Sequence, residues 1–134
     1  MSFFLETTLL IRYLTKDVPE KADRCEQLFR EMEKGRVSLY VTPLVIAEAI
    51  WTLSRAYHFQ KMEIVDGLRR VLNTPHLLCD EKDLLLQALE LFRAKPFSFI
   101  DAYHAVTLPA RGITEFYSYD TDFDQLPGIT RREP

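Results

Sequence analysis

The chain has 134 residues, of which 47% are hydrophobic, and its formal net charge is −3. This length and apolar fraction exclude a disordered chain and are typical of one globular domain with its own core. The charge excludes a basic surface spread over the whole molecule, although an enzyme that acts on nucleic acid through a local metal site stays compatible with it.

The ends and the cysteines of the chain indicate its compartment. The N-terminus lacks the charged region of a signal peptide, and no apolar run is long enough to span a membrane, so we expect a cytoplasmic protein. Cys25 and Cys79 lack the CxxC spacing and are expected to be buried free thiols. No linker or repeat interrupts the sequence, which predicts a single domain over residues 1–134.

The first half of the chain alternates strand and helix patterns. Pro19 and Pro43 each occupy the first turn of a predicted helix, Thr42 is a suitable N-cap, and Thr7 with Thr8 can cap the first helix. In chain order the predicted elements are a strand at 3–5, a helix at 9–14, a helix from 19 to about 35, a strand at 37–41, and helices at 43–57 and 61–72.

The second half of the chain continues this alternation. The predicted elements are a strand at 76–79, a helix from 80 to about 94, a helix from 98 to between 109 and 112, a strand at 115–119, and a short strand at 129–130. Strands that alternate with helices predict a parallel sheet in an α/β sandwich.

Four carboxylates lie where apolar segments end or turn, namely Glu6, Glu48, Asp101 and Asp120. None of them has Lys or Arg beside it in sequence, and a buried carboxylate is costly unless a positive charge pairs with it. Ligands of parallel sheets gather outside the carboxyl ends of the strands. Glu6 and Asp120 each close a predicted strand, so we expect both at the same rim, in a divalent metal site.

Each candidate also has a simpler interpretation. Glu48 lies in a helix that is apolar on almost every side, which favours burial near a partner; the alternative is a lone surface charge or a salt bridge. Asp101 follows Ser98 at the spacing of a capping box. His104 shares the face of Asp101, and we expect it to be packed or hydrogen-bonded rather than bound to metal. Asp122 is a secondary ligand candidate, whereas Asp124 is expected to cap or to be solvated.

The donor types predict the chemistry. Carboxylate oxygens without a Cys and His set favour Mg²⁺ or Mn²⁺ over Zn²⁺. Such ions orient water and stabilise leaving oxygens in phosphodiester hydrolysis. Arg12 and Lys16 follow the Glu6 turn and are candidates to contact RNA phosphates at the rim; the alternative is an ordinary solvated basic surface.

Four segments in this order are similar to the PIN domain, and within it to the VapC-like toxin ribonucleases of bacterial toxin–antitoxin pairs. The segments are residues 6–14, 45–53, 99–105 and 119–128. The resemblance implies a three-layer α/β/α sandwich with a central, mostly parallel sheet, and an endoribonuclease that uses Mg²⁺ or Mn²⁺. It also implies a homodimer inhibited by a small antitoxin protein. The family's ligand positions carry over to Glu48, Asp101 and Asp120, with Asp122 as a further candidate.

One departure from this pattern bears on activity. The family usually has Asp-Thr-Asn after the first strand, and this chain has Glu6, Thr7 and Thr8. Glu adds one methylene, and displacements of about 1 Å can cost on the order of a hundredfold in rate. Our hypothesis is that metal affinity and turnover are reduced while the fold is intact.

Two other classes of protein compete with a ribonuclease toxin. A non-catalytic PIN-like module that binds antitoxin or RNA is favoured by the departure at Glu6 and Thr8. An enzyme acting on small phosphates is disfavoured because the chain has no Gly-rich phosphate-binding loop.

Overall fold

The computed structural model describes residues 1–134, which form two compact units, Met1–Lys82 and Asp83–Pro134. The helices are α1 (Thr7–Thr15), α2 (Pro19–Glu33), α3 (Pro43–Arg55), α4 (Lys61–Leu72), α5 (Lys82–Ala94) and α6 (Phe99–Ala110). The strands are β1 (Ser2–Phe4), β2 (Ser38–Tyr40), β3 (Leu77–Leu78), β4 (Glu115–Tyr117) and β5 (Thr130–Arg132). A 3₁₀ helix covers Thr121–Gln125. None of the helices combines the length and the apolar character that a membrane crossing needs.

The first unit contains a three-stranded sheet in the order β1-β2-β3, with both pairs parallel. Phe3 is paired with Leu39, which is paired with Leu77. Helices separate these strands in sequence, and their carboxyl ends therefore lie at one edge of the sheet. The predicted α/β class with parallel strands is confirmed.

Helix α3 begins as the sequence predicts and positions Glu48. The Thr42 hydroxyl accepts a hydrogen bond of 3.2 Å from the Val45 amide, and Pro43 occupies the first turn. One face of the helix is buried, with Ile46 and Ala49 both at 0% exposure. The cap fixes where the helix starts, and the buried face fixes how it is rotated.

Thr42→Ala is expected to lower the free energy of unfolding by about 1 kcal/mol, because an orphaned amide of the first turn loses its acceptor. Urea denaturation at equilibrium measures this change. Thr42→Ser keeps the hydroxyl and serves as the matched control, which should lose much less stability. Equal losses in the two variants would contradict a capping role.

The second unit is smaller and has its own core. Strands β4 and β5 pair in parallel, and Phe116 lies beside Phe123, with ring centroids 5.3 Å apart in an edge-to-face arrangement. Ala105 completes this cluster of buried side chains. The last strands differ from prediction: β4 ends at Tyr117 instead of 119, and β5 begins at Thr130 instead of 129. Asp120 therefore does not directly follow its strand.

The two cysteines are free, as predicted. Cys25 is buried in α2, whereas Cys79 is only half-buried, just after β3. Burial raises the pKa of both thiols, which keeps them protonated near neutral pH.

Candidate functional site

Glu6 begins α1 and is held by a residue of the same turn. Its backbone is extended at the N-cap position, its Oε2 accepts from the Thr8 amide at 2.9 Å, and its Oε1 accepts from the Thr8 hydroxyl at 3.2 Å. The prediction that Thr7 and Thr8 supply the cap is wrong, because Thr7 is buried in the first turn and Thr8 is the donor. The pairing of Glu6 with Thr8 was missed at the sequence level, although their spacing of two residues is typical of a side chain capping its own turn.

Glu48 lies on the exposed face of α3, so the expectation of burial is wrong. Leu44 and Trp51 share this face and are 79% and 62% exposed. Their positions at i−4 and i+3 from Glu48 follow the helical period. The apolar neighbours of Glu48 in sequence therefore misled the prediction, since two of the largest face solvent too. Glu48 itself makes no ion pair or hydrogen bond with another residue.

Glu6 and Glu48 line the same cavity of the first unit, which has a volume of about 370 Å³. Arg12 and Tyr57 contribute to its wall. Two of the four predicted acidic residues thus line one cavity, to which α1 and α3 contribute. Lys16 is not part of this wall; it lines a separate cavity together with Tyr13 and Glu33.

A small hydrogen-bonded network holds Arg12. Its Nη1 donates to the Tyr57 hydroxyl at 3.3 Å and forms an ion pair with Asp17 Oδ2 at 3.4 Å. The Tyr57 hydroxyl donates to the same Asp17 oxygen at 2.6 Å, and Thr15 donates to Asp17 Oδ1 at 3.0 Å. The hydrogen bond from Tyr57 lowers the pKa of Asp17, and the hydrogen bond from the Thr15 hydroxyl and the charge of Arg12 lower it further. Asp17 is therefore a stable anion at neutral pH.

The other side of the Arg12 guanidinium is not satisfied. Its Nε is buried and has no hydrogen-bond partner. Leaving a buried donor without an acceptor costs about 1–3 kcal/mol, so such an atom calls for an explanation. The Nη1 contacts therefore fix the orientation of Arg12, and in this orientation its Nε is left without an acceptor.

In the second unit Asp101 lies in the first turn of α6. Its amide donates to Ser98 Oγ at 3.1 Å, so Ser98 caps the helix as predicted. Asp101 and His104 line one cavity of about 350 Å³, together with Ser118. The ring of His104 packs edge-on against Tyr103, with centroids 5.8 Å apart, although His104 is exposed.

Asp120 caps the 3₁₀ helix. Its Oδ1 accepts from the Asp122 amide at 2.9 Å, and its own amide donates to Ser118 Oγ at 2.9 Å. Ser118 lines the cavity of Asp101, so Asp120 adjoins that cavity through one hydrogen bond. The carboxylate of Asp120 is the N-cap, a role that was expected of Asp124.

Asp124 is exposed to solvent, as expected, but it is also ion-paired, which was not predicted. Arg131 holds it with two bonds, from Nε at 3.0 Å and from Nη2 at 3.2 Å. The Arg131 side chain is only 15% exposed and also donates to the Ser118 carbonyl at 3.1 Å. Arg131 therefore binds the last strand to the 3₁₀ helix.

The donor chemistry of Glu6 and Glu48 fits Mg²⁺ or Mn²⁺. Within neither unit do three or more His, Cys, Asp or Glu side chains gather as a metal-binding group. Mg²⁺, however, is commonly held by one or two carboxylates and completes its shell with water and substrate phosphate. A carboxylate oxygen has two lone pairs, so the bonds from Thr8 leave acceptor capacity on both oxygens of Glu6.

Comparison with known proteins gives a family match and several relatives. The PIN domain model matches residues 3–129. A VapC ribonuclease of Aquifex aeolicus (strain VF5) is 27% identical over 122 residues, which cover 91% of this chain and 90% of that protein. Two solved structures have a TM-score of 0.40. Mycobacterium tuberculosis VapC20, a Sarcin-Ricin loop cleaving toxin, is 20% identical and is aligned over 93% of this chain and 94% of its own. VapBC2 from Rickettsia felis, bound to a DNA fragment from their promoter, is 14% identical, with 99% and 98% covered.

Proposed function

Because this chain belongs to the PIN domain family, we propose that it is a metal-dependent endoribonuclease of the VapC type, which hydrolyses phosphodiester bonds of RNA. The name of the Aquifex aeolicus relative supports this activity. The observation that carries the proposal is the shared cavity of Glu6 and Glu48, with Arg12 in its wall. Two acidic side chains beside one basic side chain suit a cation together with the phosphate on which it acts.

The residues of this cavity have separate roles. A bound Mg²⁺ or Mn²⁺ supplies positive charge to the phosphate and lowers the pKa of a water molecule. Glu6 and Glu48 would hold the ion, and Glu48, which has no partner in the chain, could also accept a proton from the attacking water. Arg12 offers charge to an RNA phosphate.

Further residues belong to the proposal through their positions in the sequence. Asp101 and Asp120 are proposed as ligands of the same kind, with Asp122 as a further candidate and Lys16 as an RNA contact. The three aspartates are supported by the match of their sequence positions to the family motifs, and Lys16 by its place just after the Glu6 turn. The resemblance to the family also supports two partners, a small antitoxin protein and a second copy of this chain in a homodimer. We propose a cytoplasmic location as well.

RNA cleavage is expected to require a divalent ion. Purified protein incubated with structured RNA should yield defined fragments in Mn²⁺ or Mg²⁺ and none after EDTA, and restored Mn²⁺ should restore the fragments. Gel analysis of end-labelled RNA measures this. Protein prepared in parallel with Glu48→Ala controls for a contaminating nuclease. Fragments that persist in EDTA would contradict the proposal.

A second candidate is a PIN-like module that binds RNA or antitoxin without cleaving. The engagement of both Glu6 oxygens by Thr8 favours it, because that carboxylate is less available to an ion than an unpaired one. In the same experiment, RNA binding in Mn²⁺ without fragments would favour this module.

A further inference from the structure

Arg12 does not pair with the carboxylates that share its cavity. An arginine near carboxylates commonly makes two parallel hydrogen bonds to one of them. Arg12 forms its ion pair with Asp17 instead, and neither Glu6 nor Glu48 accepts from it. Both carboxylates of this cavity therefore remain unpaired with the positive charge of Arg12.

The contacts of Arg12 indicate what keeps it there. All of them come from Nη1 and lead to Tyr57 and Asp17, while the buried Nε has no acceptor. Asp17 is in turn fixed by the short bond from Tyr57 and by the bond from Thr15. A turn of the guanidinium towards another carboxylate would break these Nη1 contacts, so Asp17 and Tyr57 oppose that movement.

We propose that Asp17 and Tyr57 are positioning residues, which hold Arg12 clear of Glu6 and Glu48 so that the carboxylates stay open to a cation. This proposal rests on the proposed function, since it assigns the cation to the same cavity. Loss of the Asp17 charge releases Arg12 to pair with one of the carboxylates. That carboxylate must then give up the guanidinium before it binds an ion.

The test measures Mn²⁺ binding directly by calorimetry, with no RNA present. Asp17→Asn is expected to weaken Mn²⁺ binding by about two- to fivefold, in keeping with the strength of a partly exposed ion pair. The double variant, Asp17→Asn with Arg12→Gln, should regain Mn²⁺ affinity. Its affinity should lie within about twofold of that of the Arg12→Gln single variant. Tyr57→Phe should weaken binding in the same direction but less, because Asp17 keeps its charge.

Asp23→Asn provides the matched control, since it removes the same charge from an exposed position of the same unit. It should leave Mn²⁺ binding unchanged. A purely structural role for Asp17 would not be reversed by removing Arg12. The proposal is overturned if Asp17→Asn binds Mn²⁺ like the wild type, or if Arg12→Gln fails to restore binding.

A second measurement separates this proposal from the proposed function. In protein freed of metal, the Arg12 Nε–H resonance, assigned by its absence from Arg12→Gln, should exchange slowly with water because that nitrogen is buried. Exchange should become faster in Asp17→Asn and Tyr57→Phe but not in Asp23→Asn. If the wild type bound no Mn²⁺ but exchange still became faster in these two variants, the metal site would be refuted. The positioning of Arg12 by Asp17 and Tyr57 would still be supported. An unchanged exchange rate in both variants would refute the hold itself.

Discussion

Glu48→Gln is expected to reduce RNA cleavage by on the order of a hundredfold or more, the range found when a positioned acid–base group is removed. The amide keeps the shape of the side chain but loses the negative charge that attracts a cation and the basicity that accepts a proton. Glu48 has no partner in the chain, so no other contact is broken. Single-turnover cleavage at saturating Mn²⁺ measures the loss.

The stability of this variant decides how the loss is interpreted. Glu48 is exposed on α3, and surface substitutions away from special contacts usually change stability by about 0.5 kcal/mol or less. The Tm should therefore match that of the wild type. Glu20→Gln, an exposed position in the first turn of α2, is the control and should keep full activity. Full activity in Glu48→Gln would remove this residue from the site.

The double substitution Glu6→Asp with Thr8→Asn is expected to raise RNA cleavage by up to about a hundredfold, because it moves the carboxylate by about 1 Å towards the position that the family uses. Asp is a good N-cap residue, so α1 should still begin at the same place. The change also removes the Thr8 hydroxyl that donates to Glu6 Oε1. Cleavage rates at several Mn²⁺ concentrations separate a gain in ion affinity from a gain in turnover.

Both single variants belong in this experiment, since Glu6 and Thr8 are in contact and their effects are not expected to add. Glu6→Asp alone shortens the side chain while the Thr8 hydroxyl still competes for it, so its gain should be smaller than that of the pair. Glu20→Asp, the same shortening at an exposed position, should change nothing. A double variant no more active than the wild type would contradict the hypothesis of a weakened site.

The local signals of the sequence predicted most of the elements. Helix α4 has the predicted bounds Lys61–Leu72, and Thr42 and Ser98 cap their helices as expected. These predictions succeed because caps and periodicity depend on neighbouring residues. The cap at Glu6 was missed because Thr usually takes this role and Glu seldom does, so a preference of residue type overrode the geometry of the turn.

Predictions about the site depended on contacts between distant residues, and they succeeded less evenly. Parallel strand order predicted only the placement of Glu6 at the end of its strand, whereas Glu48 reaches the shared cavity from the middle of helix α3. The burial of Glu48 was predicted wrongly, since apolar neighbours in sequence do not state which helix face meets the core. Two contacts were not predicted, the ion pair of Asp124 with Arg131 and the hydrogen bond of Tyr57 to Asp17. Nothing in the sequence around these residues indicates that they meet.

The ion pair of Arg131 also determines the charge that the acidic turn presents. Of the aspartates at 120, 122 and 124, Asp124 is paired with this guanidinium of the final strand, whereas the other two form no ion pair. A chain shortened before Arg131 would lose that compensation, and the turn would then repel an approaching phosphate backbone more strongly. Arg131, in the last strand, thus reduces the negative charge of the acidic turn that precedes it in the chain.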